Sequence, residues 1–193
     1  MNKDTGGQAL FKRYGRVIVV ITSIISVLPK WMVNLIWGAL DRSESKVAVG
    51  VRYVILKTKV AKLGENVFVG RGVVLKNVNN LVIGNNVSIH AYCYLDGVGG
   101  CEIGDDVSIA HGSSIITFDH AWNDASVPIK YNKTVRAAVK IQEDVWIGCG
   151  VRILAGTVIG SRSVVAAGAV VKGKLGGGVL YGGVPAKTIK TII

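Results

Sequence analysis

The histidines of this chain are its residues best suited to acid–base chemistry. They stand at positions 90, 111 and 120. An imidazole has an unperturbed pKa of about 6.5, so it can accept and return a proton near neutral pH. His120 stands directly before "AWNDASVPIKYNKTVRA" at residues 121–137, a segment that interrupts an otherwise regular pattern. A long irregular segment inside a regular structure is typical of a functional loop. Taken alone, an isolated histidine would be interpreted as an ordinary surface residue, and this interpretation is the one favoured for His111.

Other reactive residue types form no recognisable motif. Cys93, Cys101 and Cys149 are odd in number and contain no CxxC pair, which argues against a disulfide framework or a zinc site and agrees with a reducing cytosol. The glycine-rich stretch at 172–183, "KGKLGGGVLYGG", lacks the GK[ST] ending of a phosphate-binding P-loop. No GxSxG occurs either. We therefore expect no metal ion and no nucleotide site of these types.

The positive charge is concentrated beside the most apolar part of the chain. The net charge is +11, and residues 1–62 hold eleven Lys or Arg against three Asp or Glu, which gives +8. The apolar stretch 17–40 allows three interpretations: helices packed on the domain or on a partner chain, an interfacial membrane hairpin with Trp31 and Trp37 at headgroup level, or a membrane span. Its uncharged run 17–28 is shorter than the roughly 20 residues that a spanning helix needs. One expectation is thus peripheral membrane contact through residues 12–40.

Nucleic-acid binding is not expected. The basic residues are not interleaved with aromatic residues in a recognisable binding motif.

From residue 63 onward, aliphatic residues recur at intervals of six within groups that begin at 63, 83, 103 and 141, and we call these residues the anchors. They are Leu63, Val69, Leu75, Ile83, Ile89, Leu95, Ile103, Ile109, Ile115, Ile141, Ile147, Ile153, Ile159, Val165 and Val171. A helix face repeats at about 3.6 residues and a strand face at about 2, so neither element explains the spacing alone. A three-sided solenoid does, because each six makes one short strand and one corner, and three sixes close a coil.

The repeat also predicts what lies inside the solenoid. The anchors should stack in its interior, together with small or β-branched residues two positions earlier, such as Val67, Val87 and Ser113. Six anchors are followed by glycine, which we expect at corners where the backbone adopts angles closed to other residues. Two domains follow: a helical, basic and apolar segment at 1–60, and a repeat domain at 61–193 with an extruded loop at 121–137 and a short C-terminal cap.

Three strings give the repeat domain a family resemblance. They are "IGDDVSIAHGSSIITFDH" (103–120), "VWIGCGVRILAGTVIGSRSVVAAGAVV" (145–171) and "GGVPAKTIK" (182–190). They resemble the hexapeptide repeats of left-handed parallel β-helix acyltransferases, most closely the galactoside and maltose O-acetyltransferases and the O-acetyltransferases of surface polysaccharides. The resemblance covers about residues 63–190. It implies a mainly β fold, a left-handed parallel β-helix, and a homotrimer in the cytoplasm or at the inner face of the membrane.

The resemblance implies a reaction and a donor site. Acetyl-CoA would donate an acetyl group to a hydroxyl of a sugar or surface-polysaccharide precursor. His120 would be the general base, and a backbone N–H near residue 148 would stabilise the oxyanion. The residues that would bind acetyl-CoA are Trp146, Cys149, Ala167, Lys172, Gly173, Lys187 and Lys190. Packing against the long loop is the alternative for Trp146, and solvated terminal charge is the alternative for the lysines.

The acceptor is the least defined part of this prediction. His90 stands where related sugar acetyltransferases carry an asparagine, so it is a candidate for acceptor binding and equally for a surface residue. Asp96, beside Gly97–Gly100, could bind sugar hydroxyls or act as a turn aspartate. Alternative functions are acetylation of an antibiotic or of an amino-sugar nitrogen, and a non-catalytic or carbonic-anhydrase-like β-helix protein.

Overall fold

A computed structural model describes residues 7–192. Residues 1–6 of the predicted N-terminal segment and residue 193 of the predicted cap lie outside the described residues. Three helices come first: α1 (Gly7–Ser26), α2 (Lys30–Leu40) and α3 (Lys46–Lys57). None of the helices in residues 7–192 combines the length and the apolar composition that a membrane span needs.

The rest of the chain consists of short strands joined by tight corners. The strands are β1 (Lys62–Leu63), β2 (Phe68–Val69), β3 (Val74–Lys76), β4 (Leu81–Ile83), β5 (Ser88–Ile89), β6 (Tyr94–Asp96), β7 (Cys101–Ile103), β8 (Ser108–Ile109), β9 (Ser114–Ile116), β10 (Phe118–His120), β11 (Thr134–Arg136), β12 (Val139–Ile141), β13 (Trp146–Ile147), β14 (Arg152–Ile153), β15 (Val158–Ile159), β16 (Val164–Val165), β17 (Val170–Val171), β18 (Lys174–Leu175), β19 (Val179–Gly182) and β20 (Lys187–Thr191). Two 3₁₀ turns, Val78–Asn80 and Ile129–Tyr131, complete the described elements.

These strands form three parallel sheets, which are the three faces of a prism. The first face has the order β1-β4-β7-β12-β15-β18 and the second β2-β5-β8-β13-β16-β19, to which β20 adds an antiparallel edge. The third face comprises β3, β6, β9, β14 and β17. Successive coils pair in register, so that Ile83 lies beside Ile103 and Ile103 beside Ile141. The predicted parallel solenoid is confirmed.

The interior of the prism is filled as the repeat predicts. Thirteen of the fifteen anchors are at most 2% exposed, and only Leu63 and Leu75 of the first coil are partly buried against the core. The positions two residues before the anchors are buried as well. They include Val67, Val87, Val107, Ser113, Val145, Val151, Thr157 and Ser163. The anchors and the residues two positions before them point into the same narrow interior. The side chains of one row must therefore be small where those of the other row are large.

Helix α3 lies against the first coil, at the beginning of the prism. Ser45 caps the helix by accepting a hydrogen bond from the backbone N–H of Ala48 (3.2 Å). The buried Arg52 donates from Nε to the carbonyl of Val69 (2.9 Å), and the hydroxyl of Tyr53 donates to the carbonyl of Gly64 (3.0 Å). These bonds fasten the helical segment to the first coil.

The glycines that follow anchors have a different role from the one predicted. Gly104 and Gly148 do not have positive φ values, so the prediction of special backbone angles at these positions is wrong. A Cβ on Gly148 would lie 2.6 Å from the backbone nitrogen of Ala167 in the next coil. These positions need glycine because neighbouring coils approach closely. The left-handed backbone falls later in each corner, for example at Asp106 (φ 58°) and Gly150 (φ 67°).

Candidate active site

An antiparallel ribbon leaves the prism where one coil would normally turn from the third face to the first. We call this the ribbon corner. Strands β10 and β11 form the ribbon, and His120 on the outgoing strand pairs with Thr134 on the returning one. The ribbon is anchored at its base by the bond from the N–H of Ala137 to the carbonyl of Thr117 (3.0 Å). His120 therefore lies within the extruded segment, on regular backbone that fixes its position.

The tip of the ribbon is organised by one buried amide. Asn132 is 8% exposed, and its Oδ1 accepts a hydrogen bond from the N–H of Asp124 (3.2 Å). Its Nδ2 donates to the carbonyls of Asp124 (3.1 Å) and Val127 (3.3 Å). The carboxylate of Asp124 in turn accepts hydrogen bonds from the hydroxyl and the N–H (3.0 Å) of Ser126, and these two bonds, chiefly that of the hydroxyl, hold the pKa of the Asp124 carboxyl below its usual value. This internal bonding gives the long loop a defined shape.

A cavity of about 440 Å³ lies between the ribbon and later coils of the prism. Its size is within the range of small-molecule sites, about 300–1,000 Å³. It is lined by Asp119, His120, Ala121, Trp122, Asn123, Val135, Ala137, Ala155 and Lys172. The structure thus brings two predicted site residues, His120 and Lys172, into one cavity.

Asp119 connects the two predicted residues of this cavity. Its Oδ1 accepts a hydrogen bond from the backbone N–H of His120 (2.9 Å), and its Oδ2 lies 4.0 Å from the Nζ of Lys172. The ring of Phe118 lies edge-on to the imidazole, with 6.2 Å between the ring centroids. The imidazole is exposed and has no charged group bonded to its nitrogens among residues 7–192. A substrate hydroxyl entering the cavity can therefore reach it.

Two other predicted donor-site residues lie at a different corner, between the second and third faces. Cys149 and Ala167 stack there on successive coils, and the N–H of Gly168 donates to the carbonyl of Cys149 (2.9 Å). His111 occupies the same corner one coil earlier, since its carbonyl accepts from the N–H of Gly150 (3.0 Å). We call this column the small-residue corner. Within one chain it is separated from the ribbon corner by the third face.

The remaining donor-site candidates are distributed over the surface. Gly173 follows Lys172 at the ribbon corner, where its carbonyl accepts from the N–H of Val158 (2.9 Å). Lys187 and Lys190 lie on β20 and are exposed. Trp146 lies on the outer side of the second face and is 55% exposed, so the indole is outside the prism.

The two acceptor candidates differ in accessibility. His90 is exposed, and its ring contacts Phe68 with 5.5 Å between the ring centroids. Asp96 is only 6% exposed, and its Oδ1 accepts from Asn77 Nδ2 (2.7 Å) and from the N–H of Val98 (3.0 Å). Asp96 thus shapes the corner bulge, which favours the turn interpretation over a sugar contact.

The predicted oxyanion donor near residue 148 is wrong for Gly148 itself. Its N–H already donates to the carbonyl of Val165 (2.8 Å), and the residue is buried. The neighbouring N–H of Gly150 is also used between coils. The N–H groups of these two residues are consumed by bonds between coils, so they are not available to a substrate.

Sequence reasoning missed several residues of the cavity. Asp119 precedes His120 on strand β10. The alternation of side chains along a strand, which separates Asp119 from Phe118, was the signal that could have identified it. Ala155 lies between β14 on the third face and β15 on the first, which places it at the ribbon corner. Trp122 and Val135 belong to the irregular segment, where no periodicity predicts side-chain position.

The buried thiols can be separated from this site. Burial raises the pKa of Cys101 to about 12 and also raises the pKa of Cys93. Both thiols fill interior positions of the prism, and neither lines the cavity. Within residues 7–192, no three His, Cys, Asp or Glu side chains are grouped so as to hold a metal ion.

The repeats match a known family, and two relatives extend the match. The family model described as bacterial transferase hexapeptide (six repeats) matches residues 138–173. A protein of Escherichia coli named for O-acetyl transfer in lipopolysaccharide biosynthesis is 32% identical over 136 residues, which are 66% of this chain and 69% of that protein. A protein of Mycobacterium tuberculosis named as an acetyltransferase is 36% identical over 112 residues, or 58% of this chain. The match spans only 35% of the mycobacterial relative.

Solved structures show the same architecture. A maltose O-acetyltransferase from Clostridium difficile has a TM-score of 0.75 and 27% identity, with 85% of this chain and 86% of that chain covered. A hexapeptide-repeat acetyltransferase from Vibrio cholerae, complexed with acetyl-CoA, has a TM-score of 0.73 and 26% identity, with 83% and 85% covered. The predicted fold, a left-handed parallel β-helix with helices at its beginning, is confirmed by these matches.

Proposed function

Because the chain belongs to the bacterial hexapeptide-repeat acetyltransferases, as its repeats predict, we propose that it moves the acetyl group of acetyl-CoA to a sugar hydroxyl. The acceptor is a sugar or a surface-polysaccharide precursor. The observation that carries this proposal is the cavity at the ribbon corner, which contains one imidazole and one ammonium group, from His120 and Lys172.

His120 acts as general base in this reaction. It takes the proton of the acceptor hydroxyl while the oxygen attacks the thioester carbonyl, and a tetrahedral oxyanion forms. The oxyanion then collapses, the carbon–sulfur bond breaks, and the imidazolium returns the proton to the departing thiolate. The products are the O-acetyl ester and coenzyme A. The hydrogen bond from the His120 N–H to Asp119 holds the backbone of the base in place.

Acetyl-CoA is the donor, consistent with its presence in the related structure from Vibrio cholerae. Lys187 and Lys190 supply cations for its phosphates, because ammonium groups bind phosphate oxygens as point charges, while Lys172 lies nearer the pantetheine end, in the cavity of His120. The pantetheine arm runs past Trp146 and along the small-residue corner, where Cys149 and Ala167 leave room for close approach. His90 remains a candidate for contact with the acceptor.

We further propose that the protein is a homotrimer with sites between neighbouring chains. Within one chain, the third face separates the small-residue corner from the ribbon corner that holds His120. A donor bound at the small-residue corner of one chain would meet His120 of the next. We place the reaction in the cytoplasm, because acetyl-CoA is an intracellular metabolite and the three cysteines are free thiols.

The test is a transfer assay with the full chain. Acetyl-CoA is incubated with a panel of sugars, amino sugars and nucleotide sugars, free coenzyme A is measured, and product masses are determined. The expected product carries one added acetyl group that alkaline hydroxylamine removes, as it does from oxygen esters. An acetylated product that resists hydroxylamine would identify an amide and contradict O-acetylation. Coenzyme A release without an acetylated acceptor would contradict transfer.

A further inference from the structure

Helix α1 exposes a continuous stripe of large apolar side chains. Val17, Val20 and Ile24 follow one another at intervals of three or four residues, which places them on one side of α1, and Val27 follows in the turn directly after the helix. They are between 51% and 80% exposed. We call these four residues the exposed stripe. Single exposed apolar residues are ordinary on a protein surface, but an aligned series of them indicates a binding surface.

The fold already accounts for the other side of α1. Ile25 is buried, and Phe11, Ile18 and Ile21 are partly buried against the core. The ring of Phe11 contacts that of Tyr53 on α3, with 5.2 Å between the centroids. The exposed stripe is therefore additional to the packing face of the helix, and intramolecular packing does not explain its composition.

Large apolar side chains are exposed outside the stripe as well. Past the turn at Pro29, Trp31 is 69% exposed and Leu35 is 67% exposed on α2. Tyr14 is 48% exposed in the first half of α1. Tryptophan and tyrosine are the aromatic residues that favour the boundary between lipid chains and water, since one end of each ring is apolar and the other polar.

Basic side chains border this surface. Lys12, Arg13 and Arg16 are exposed in the turns before the exposed stripe, and Lys30 is exposed at the start of α2. Neither α1 nor α2 contains Asp or Glu. Among the described residues, the first carboxylates that follow α2 are those of Asp41, which is partly buried, and of Glu44, which is exposed and paired with Arg71 (3.0 Å). A surface that is apolar in the middle and bordered by exposed cationic side chains complements a bilayer that contains anionic lipids.

We propose that the chain docks on anionic bilayers through the exposed stripe, with Trp31 and Leu35 entering the interface and the four basic residues contacting lipid phosphates. The helix lies in the plane of the membrane surface, because its opposite side stays packed on α3 and its uncharged run is too short to span. Docking would hold the acetyl-transfer site close to lipid-linked acceptors. The binding itself does not depend on the proposed reaction.

Vesicle flotation of the full chain tests this proposal. The protein is mixed with vesicles of phosphatidylcholine alone or of equal parts phosphatidylcholine and phosphatidylglycerol, and the floated fraction is measured. We expect flotation with the anionic vesicles and little with the neutral ones. Absence of flotation with both would overturn the proposal.

Two variants and a matched control locate the contact. Val20→Glu places a charge in the exposed stripe and should lower the partition coefficient about tenfold, whereas Val74→Glu, at an exposed valine of β3, should leave it unchanged. Arg13→Gln should lower binding to anionic vesicles about fivefold. Equal flotation of Val20→Glu and the wild type would contradict the proposal.

Size-exclusion chromatography and the acetyl-transfer assay distinguish the remaining outcomes. If Val20→Glu reduced the oligomer size and the wild type did not float, the stripe would be an interface between copies of the chain, and bilayer docking would be wrong. Acetyl transfer to a soluble sugar should be the same in Val20→Glu and the wild type. A failure of bilayer docking can thus be distinguished from a failure of the proposed acetyl transfer.

Discussion

The ammonium group of Lys172 lies 4.0 Å from the Oδ2 of Asp119, although the two residues belong to coils separated by the ribbon. The contact joins the strand that carries His120 to a later coil at the same corner. Both groups are more than half exposed, so the pair adds little to global stability. The effect of this pair is local, because it holds the ribbon beside the later coil that lines the other side of the cavity.

Replacing His120 with alanine should lower kcat about 10²- to 10⁴-fold, because the acceptor hydroxyl would lose its general base. The KM for acetyl-CoA should change little, since the imidazole is assigned to the acceptor proton. Steady-state kinetics with a verified acceptor measures both constants. Glu143→Ala is the control, because Glu143 is exposed at the corner between the first and second faces, away from both corners of the proposed site, and it should behave as wild type. Near-full turnover of His120→Ala would remove His120 from the mechanism.

Replacing Lys187 with glutamine should raise the apparent KM for acetyl-CoA about fivefold and affect kcat less, because a phosphate contact would be lost without change at the reacting carbon. The difference should shrink at high ionic strength, since salt screens exposed charges. Lys174→Gln is the control, because Lys174 lies on the first face at β18. A lower kcat at unchanged KM would place Lys187 outside the donor site.

The fold could be predicted because the repeat indicates which residues lie in the interior of the prism. Each anchor has one orientation relative to the prism, so a spacing of six fixes the faces and the coils. Ile103 and Ile141 show the strength of this rule, since they pair directly although the ribbon separates them in sequence. The reason for the glycines was not predictable in the same way, because contact between coils such as that of Gly148 with Ala167 depends on backbone separation, which the spacing of residues does not give.

The site was predicted only in part. His120 could be identified from its place before the irregular segment and from the family resemblance. The separation of the ribbon corner from the small-residue corner could not be read from the resemblance, which assigned Lys172, Cys149 and Ala167 to one donor site. For Asp96, the residue type alone suggested a contact that the structure does not favour. An aspartate could bind sugar hydroxyls, whereas the hydrogen bonds of Asp96 with Asn77 and Val98 give it a structural role.

Replacing Arg52 with methionine should lower the free energy of unfolding by about 2–4 kcal/mol, because three carbonyl acceptors would lose a buried charged donor. Besides Val69, the guanidinium bonds the carbonyls of Leu40 (2.8 Å) and Ser43 (2.9 Å). Burial lowers the pKa of Arg52, yet guanidinium groups remain charged at neutral pH. Urea unfolding measures the change.

Arg152→Met provides the control for burial. Arg152 also bonds three carbonyls, including that of Gly112, but its side chain is exposed, so water can replace it. We expect a loss below about 1 kcal/mol. If the two variants were equally destabilised, the number of bonds rather than their burial would decide the effect.

Stability should fall at alkaline pH partly through Tyr53. Burial raises the pKa of its hydroxyl to about 12, above the value near 10 expected of an unfolded chain. A group whose pKa is raised by folding stabilises the protein fully below its unfolded pKa and loses that contribution as pH rises through the folded value. The contribution of Tyr53 is therefore present below about pH 10 and is lost between about pH 10 and 12.

Cys101 also makes stability fall at alkaline pH, and its effect begins at a lower pH than that of Tyr53. The thiol of an unfolded chain titrates near 8.5, and burial raises the pKa of Cys101 to about 12. Tyr53→Phe should therefore reduce the alkaline decline in the free energy of unfolding without abolishing it. Urea unfolding at a series of alkaline pH values measures this slope. Tyr92→Phe, at an exposed tyrosine, should keep the wild-type slope. If Tyr53→Phe also kept the wild-type slope, ionisation of Tyr53 would have no part in alkaline unfolding, and its bond to Gly64 would not protect the hydroxyl proton.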